Sequence, residues 1–139
     1  MTQQTSPIVQ VRSLSKVYQH GGNDVVALDN INLDIEAGEF VSLMGPSGSG
    51  KSTLLHIIAG IDRPSCGECT VLGEDLTGLN ENDLARWRNE HIGFIFQSFN
   101  LLPVLTAFEN VEMPLLLTSL TKAERAQHVK TVLEIVEIG

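Results

Sequence analysis

Apolar and polar positions alternate along the first quarter of the chain, and the period then changes. From Ile8 to Leu14 the alternation is partial, and the Gly21-Gly22-Asn23-Asp24 cluster that follows has the composition of a turn. Beyond it Ile31, Leu33 and Ile35 alternate with Asn30, Asn32 and Asp34, the period-two pattern of a half-buried strand. The phase slips near Asp29, which predicts a bulge or kink there. Together these pieces predict an antiparallel β layer. The polar residues before it, ending near Pro7, read as a frayed start.

Phe40-Val41-Ser42-Leu43-Met44 is short and nearly all apolar, as a parallel strand covered on both faces would be. A glycine-rich loop follows. Leu54, Leu55, Ile58 and Ala59 then recur at helical spacing, with Gly60 placed to end the helix. Glu68–Leu72 predicts a short strand, Asn82–Glu90 a polar helix, and Ile92–Phe96 a second buried strand. Thr106 with Glu109, and Thr121 with Glu124, fit the reciprocal capping box and predict helices from about Ala107 and Lys122. In the last helix Ala126, Val129, Leu133 and Val136 share one face. The pattern as a whole is α/β.

Composition narrows the choice. At 139 residues, 42% hydrophobic and 19% charged, the chain is one ordinary globular domain or part of one. Nine basic against seventeen acidic residues give a net charge of −8, the wrong sign for a protein that grips nucleic acid by charge. Arg86-Trp87-Arg88 interleaves an aromatic with bases, but in an acidic chain helix packing explains it. No apolar run approaches the ~18 residues of a membrane span, and the first ten residues show no secretory pattern. Two cysteines build no disulfide framework, so a reduced setting is the default. Cys66-Gly67-Glu68-Cys69 lacks the second pair that a zinc site needs and precedes a β-type run, so its thiols read as incidental. His20, His56, His91 and His128 show no ligand spacing.

One motif carries chemistry. Gly45-Pro46-Ser47-Gly48-Ser49-Gly50-Lys51-Ser52 matches G-x-x-x-x-G-K-[ST] at every position, and Thr53 follows it. Gly48 and Gly50 let the backbone turn several N–H groups toward one anion. The helix beginning near Lys51 adds its positive end to the same spot. Lys51 supplies a mobile charge for outer phosphates, and the Ser52 hydroxyl suits Mg²⁺. The motif predicts a nucleoside triphosphate site.

The surrounding residues point to one branch of P-loop proteins. The strands before the loop, Ala27-Leu28, and Ala37-Gly38-Glu39 entering the loop resemble the ABC transporter ATP-binding subunits. So does Ile92-Gly93-Phe94-Ile95-Phe96-Gln97-Ser98-Phe99-Asn100-Leu101-Leu102-Pro103, which looks like that family's Q-loop and the start of its helical subdomain. With Thr106–Leu117, this stretch is most similar to the branch containing the lipoprotein-release and macrolide-export ATPases. The resemblance runs from about Val9 to Gly139.

The resemblance implies a partial P-loop core with a RecA-like parallel sheet, an antiparallel β layer and the start of a helical subdomain, residues 1–139 being part of one ATP-binding domain. ATP and Mg²⁺ would be the cofactors. Tyr18 would stack on adenine, the alternative being a strand-end aromatic that covers the core. Gln97 would be catalytic, its amide reaching the Mg²⁺ and the attacking water; a solvated loop residue is the alternative. A second ATP-binding subunit and transmembrane permease subunits would be the partners, with the protein held cytoplasmically at the inner face of the membrane. The apolar string Phe99–Leu105 either fills the helical subdomain or receives a helix from the permease.

The family's signature loop, its strand ending in catalytic acids and its switch histidine fall beyond the Q-loop and are not among these residues. Val25-Val26-Ala27-Leu28-Asp29 imitates the acidic strand but precedes the P-loop, where the family has an antiparallel strand; Asp62 and Glu134 follow helical patterns. The reading is therefore an ABC-type ATPase that couples MgATP to transport or mechanical work, with this stretch alone not turning over. The alternative is a nucleotide-binding, non-hydrolysing module. A small kinase or GTPase fits less well, since no N-K-x-D-like base reader is present.

Overall fold

A two-glycine turn starts the sheet. A computed structural model describes residues 6–138, so most of the start expected to fray lies outside the described residues. Strands β1 (Val9–His20) and β2 (Asn23–Ile35) are joined by Gly21 and Gly22 alone. Both glycines have positive φ, 58° and 81°, the backbone that lets so short a turn follow the twist of its strands. The kink expected near Asp29 is present, because the register slips between the pairs Leu14↔Ile31, Lys16↔Leu28 and Val17↔Val26. Side chains take up the amides that the interrupted ladder frees. Asn32 Oδ1 accepts from Ser13 N at 3.0 Å, and Ser15 Oγ from Asn30 N at 2.9 Å.

Strand β3 (Cys66–Val71) pairs antiparallel with the other edge of β1 and carries the short β4 (Glu74–Asp75), giving the order β2-β1-β3-β4. Gly67 makes the β1–β3 contact possible at the bulge. A Cβ there would stand 2.5–2.7 Å from backbone atoms of Arg12, Ser13 and Leu14. Helices α1 (Lys51–Ile58) and α2 (Glu81–His91) bury Leu54, Ile57, Leu84 and Trp87 in one core with Val11, Leu14, Cys69 and Val71. Burial of each such large side chain stabilises the fold by roughly 1.5–3 kcal/mol. Arg88 donates to Gly60 O at 2.5 Å, so the end of α1 is fastened to α2.

Two expected strands are not formed. Phe40–Met44 and Ile92–Phe96 carry no regular secondary structure, and Phe40 and Ile95 are 99% and 98% exposed. A strand exists through hydrogen bonds to a neighbour, and an apolar pentapeptide brings no neighbour with it. The sheet among the described residues is antiparallel throughout, and the parallel sheet expected from these segments is not assembled there.

The chain divides into two units, one ending at Gly93 and one beginning at Phe94. The second is helical: α3 (Ala107–Glu112), a 3₁₀ turn over Met113–Leu117 and α4 (Lys122–Ile135). Both capping boxes are in place. Hydrogen bonds from the Thr106 amide and hydroxyl hold the Glu109 carboxyl below its ordinary range, and those from the Thr121 hydroxyl and amide do the same for Glu124. Asn110 clamps the approach to α3: its Oδ1 accepts from Leu102 N at 2.8 Å, and its Nδ2 donates to Leu102 O, Leu105 O and Thr106 O at 2.9–3.2 Å. Val129 is fully buried and Val136 is 52% exposed, so α4 uses the middle of its expected apolar face.

The cysteines of the C-x-x-C are free and differ in setting: Cys66 is exposed and Cys69 is in the core. Burial, with a smaller contribution from the Asp75 charge, pushes the Cys69 thiol from 9.0 up to about 11. The raised value means that the folded chain holds the proton more firmly than the unfolded one. That stabilisation is complete below pH 9 and is lost as the pH rises toward 11, an effect of about 2–3 kcal/mol. In urea titrations between pH 8 and 11, the native chain should lose more stability than Cys69→Ala. Equal losses in the two proteins would count against it.

Candidate functional site

The glycine loop lies between the end of β2 and the start of α1. Gly45, Gly48 and Gly50 all have positive φ, at 155°, 78° and 84°. Gly50 is the N-cap of α1 and has no side chain to offer, so the first amides of the helix have no side-chain cap. The Lys51 ammonium folds back over the loop and donates to Pro46 O at 2.6 Å, Gly45 O at 3.0 Å and Ser49 Oγ at 3.2 Å. Ser49 N reaches Pro46 O at 3.4 Å. The result is a glycine-turned backbone with a cation over it at a helix N-terminus, a set of donors whose chemistry suits an anion.

The loop lines two cavities. One, of about 530 Å³, is lined by Ser47–Thr53 and by Val25, Val26 and Ala27 of β2. The other, of about 310 Å³, is lined by Leu28, Ile31, Leu43, Met44 and Leu54 with Gly45, Pro46, Ser49, Gly50 and Lys51. All nine loop residues expected from the motif line one cavity or the other. Neither lining contains an acid or a histidine.

Sequence reasoning missed the β2 wall. Val25–Asp29 is antiparallel strand, as expected, but Val25 and Val26 also face the loop. Their signal was four apolar residues in succession, Val25-Val26-Ala27-Leu28, where a half-buried strand would alternate.

Tyr18 sits opposite Val25 in the β1–β2 ladder, one cross-strand neighbour from the loop cavity. Its hydroxyl donates to Asp62 Oδ2 at 2.6 Å, and the Lys16 ammonium lies 4.8 Å from its ring centroid. Burial pushes the Asp62 carboxyl up, but hydrogen bonds from Lys16, Tyr18 and the Arg63 amide outweigh it and hold the group below its ordinary value. Gln97 is exposed and belongs to the second unit, on the segment after α2.

The ABC transporter family pattern matches residues 28–139. The chain belongs to the ABC transporter family. It is 43% identical over 132 residues to an uncharacterised ABC transporter ATP-binding protein of Thermotoga maritima, covering 95% of this chain and 56% of that protein. It is 45% identical over 129 residues to the macrolide export ATP-binding/permease protein MacB of Burkholderia pseudomallei, covering 93% and 20%. Against the lipoprotein-releasing system ATP-binding protein LolD of Idiomarina loihiensis the identity is 40% over 129 residues, covering 93% and 57%. The fold matches a dimeric ATP-binding cassette of Methanocaldococcus jannaschii bound to ADP and Pi, with TM-score 0.83, 43% identity, and 93% of this chain against 57% of that one. The α/β class follows from this likeness to ABC ATPase cassettes. The chain thus spans 56–57% of the ATP-binding proteins and the cassette named here.

Proposed function

We propose that this chain is the nucleotide-binding part of an ABC transporter ATPase and that it binds MgATP through Gly45, Pro46, Ser47, Gly48, Ser49, Gly50, Lys51, Ser52 and Thr53. What carries the proposal is the glycine loop with Lys51 bonded across it at the uncapped start of α1. The donor set fits a polyphosphate: backbone amides, one ammonium and four hydroxyls, at Ser47, Ser49, Ser52 and Thr53. Among the described residues no three His, Cys, Asp or Glu side chains are grouped to hold a metal. Mg²⁺ would arrive with the phosphates, on the Ser52 hydroxyl, and would neutralise phosphate charge. Tyr18 would take the base on its ring, and Lys51 would exchange its loop carbonyls for phosphate oxygens.

The parent protein would work as a pair with a second ATP-binding subunit and would drive permease subunits at the cytoplasmic face of a membrane. The names MacB and LolD and the dimeric cassette support this part. Among the described residues no helix is long and apolar enough to cross a membrane. One observation favours a second reading for residues 1–139 taken alone, a module that binds but does not hydrolyse: the loop cavities hold no acid or histidine.

Calorimetry with MgATP tests the assignment. A charge-assisted hydrogen bond contributes ~1.5–3 kcal/mol, so Lys51→Ala should weaken binding tenfold or more. Equal affinities in two folded proteins would refute the site.

A further inference from the structure

We propose that Asp62 is a positioning residue for the base-binding ring: it fixes Tyr18 in the orientation that stacks a purine. The proposal rests on the assignment of Tyr18 to the base. Tyr18 is near the turn end of the β1–β2 hairpin and is 38% exposed, a place where packing alone does not hold a ring. Two contacts hold it instead. Asp62 Oδ2 accepts the phenolic hydroxyl at 2.6 Å, and the Lys16 ammonium covers the ring at 4.8 Å. Asp62 organises both, because its Oδ1 accepts from Lys16 Nζ at 2.6 Å. With the hydroxyl tied and a cation over the ring, the ring keeps one orientation toward a flat ligand.

The anchor itself is fixed. Lys16, only 13% exposed at its side chain, also donates to Arg63 O at 2.6 Å. Asp62 Oδ1 accepts from Arg63 N at 2.7 Å, and Arg63 is held by Glu81 Oε1 at 2.8 Å and by Leu79 O at 2.5 Å. Asp62 follows α1, whose first turn carries the phosphate loop. One helix therefore carries the phosphate loop at its start and leads at its end into the residue that holds the base platform. An ordered aromatic loses less freedom when a base stacks on it, so the effect appears only with ligands that carry a base.

The test compares MgATP with inorganic tripolyphosphate by calorimetry. Asp62→Asn should weaken MgATP roughly three- to tenfold and leave tripolyphosphate unchanged. Tyr18→Phe breaks the same bond from the other end and should give the same loss, with no further loss in the double variant. Tyr18 is the only tyrosine of the chain, so 3-fluorotyrosine gives a single ¹⁹F resonance that should shift in Asp62→Asn before nucleotide is added. Unchanged MgATP affinity in Asp62→Asn, or equal losses for both ligands, overturns the proposal. If Tyr18→Ala leaves the ratio of the two affinities unchanged, the base assignment has failed. If Tyr18→Ala lowers that ratio and Asp62→Asn and Tyr18→Phe do not, the positioning role alone has failed.

Discussion

Gly50→Ala is expected to abolish MgATP binding and to lower the stability of the chain by about 2–4 kcal/mol. Two costs combine at this position. The residue has φ of 84°, where a side chain loses ~1–2 kcal/mol. The added Cβ would also lie inside the contact radius of Ala27 O and 2.8 Å from Leu28 Cδ2. Ala27 is β2 backbone at the bulge between the pairs Lys16↔Leu28 and Val17↔Val26, so it yields only if β2 moves or the loop lifts away. If the loop lifts, its amides and Lys51 no longer converge, and phosphate binding goes with the stability. Gly48→Ala is the control, because its φ is 78° but no atom lies within 4 Å of the added Cβ. It should show only the conformational cost, ~1–2 kcal/mol. Urea unfolding and calorimetry on both variants decide the matter. A Gly50→Ala protein no worse than Gly48→Ala would mean that the contact with β2 does not shape the loop.

Residues 1–139 expressed alone are expected to bind MgATP and to release no phosphate above the level of Lys51→Ala. Phosphoryl transfer to water needs a group that orients the nucleophile and an acid that holds the metal's water shell. A positioned general base alone contributes roughly 10²–10⁴-fold. The cavities beside the loop are lined by amides, hydroxyls, one ammonium and apolar side chains, which bind a product as readily as a substrate. Multiple turnovers that Lys51→Ala abolishes would overturn the expectation. The same preparation should unfold at low temperature, because Phe40 and Met44 are 99% and 89% exposed and apolar side chains on an unpaired segment add little to the core and invite association. A cooperative melt above about 50 °C, typical of an intact mesophilic domain, would contradict this.

The sequence by itself determined the features whose causes lie within a few residues. The Gly21-Gly22 turn, the slip near Asp29, the end of α1 before Gly60 and both capping boxes follow from local backbone sterics and short-range hydrogen bonds. The phosphate loop was legible for the same reason, since Gly45, Gly48 and Gly50 are needed by the backbone they themselves form. Tertiary structure alone decided where distant segments meet. Phe40–Met44 and Ile92–Phe96 have the composition of buried strands, yet pairing is set by a neighbour, and the neighbour is not encoded in the pentapeptide. Val25 and Val26 became a wall of the cavity beside the glycine loop because β2 folds beside a loop some twenty residues later. Asp62 gave no signal in the sequence, where it follows a helical pattern. Its carboxylate meets Tyr18 and Lys16 from 44 and 46 residues away, and a contact of that separation exists only once the sheet and α1 have packed around their shared core.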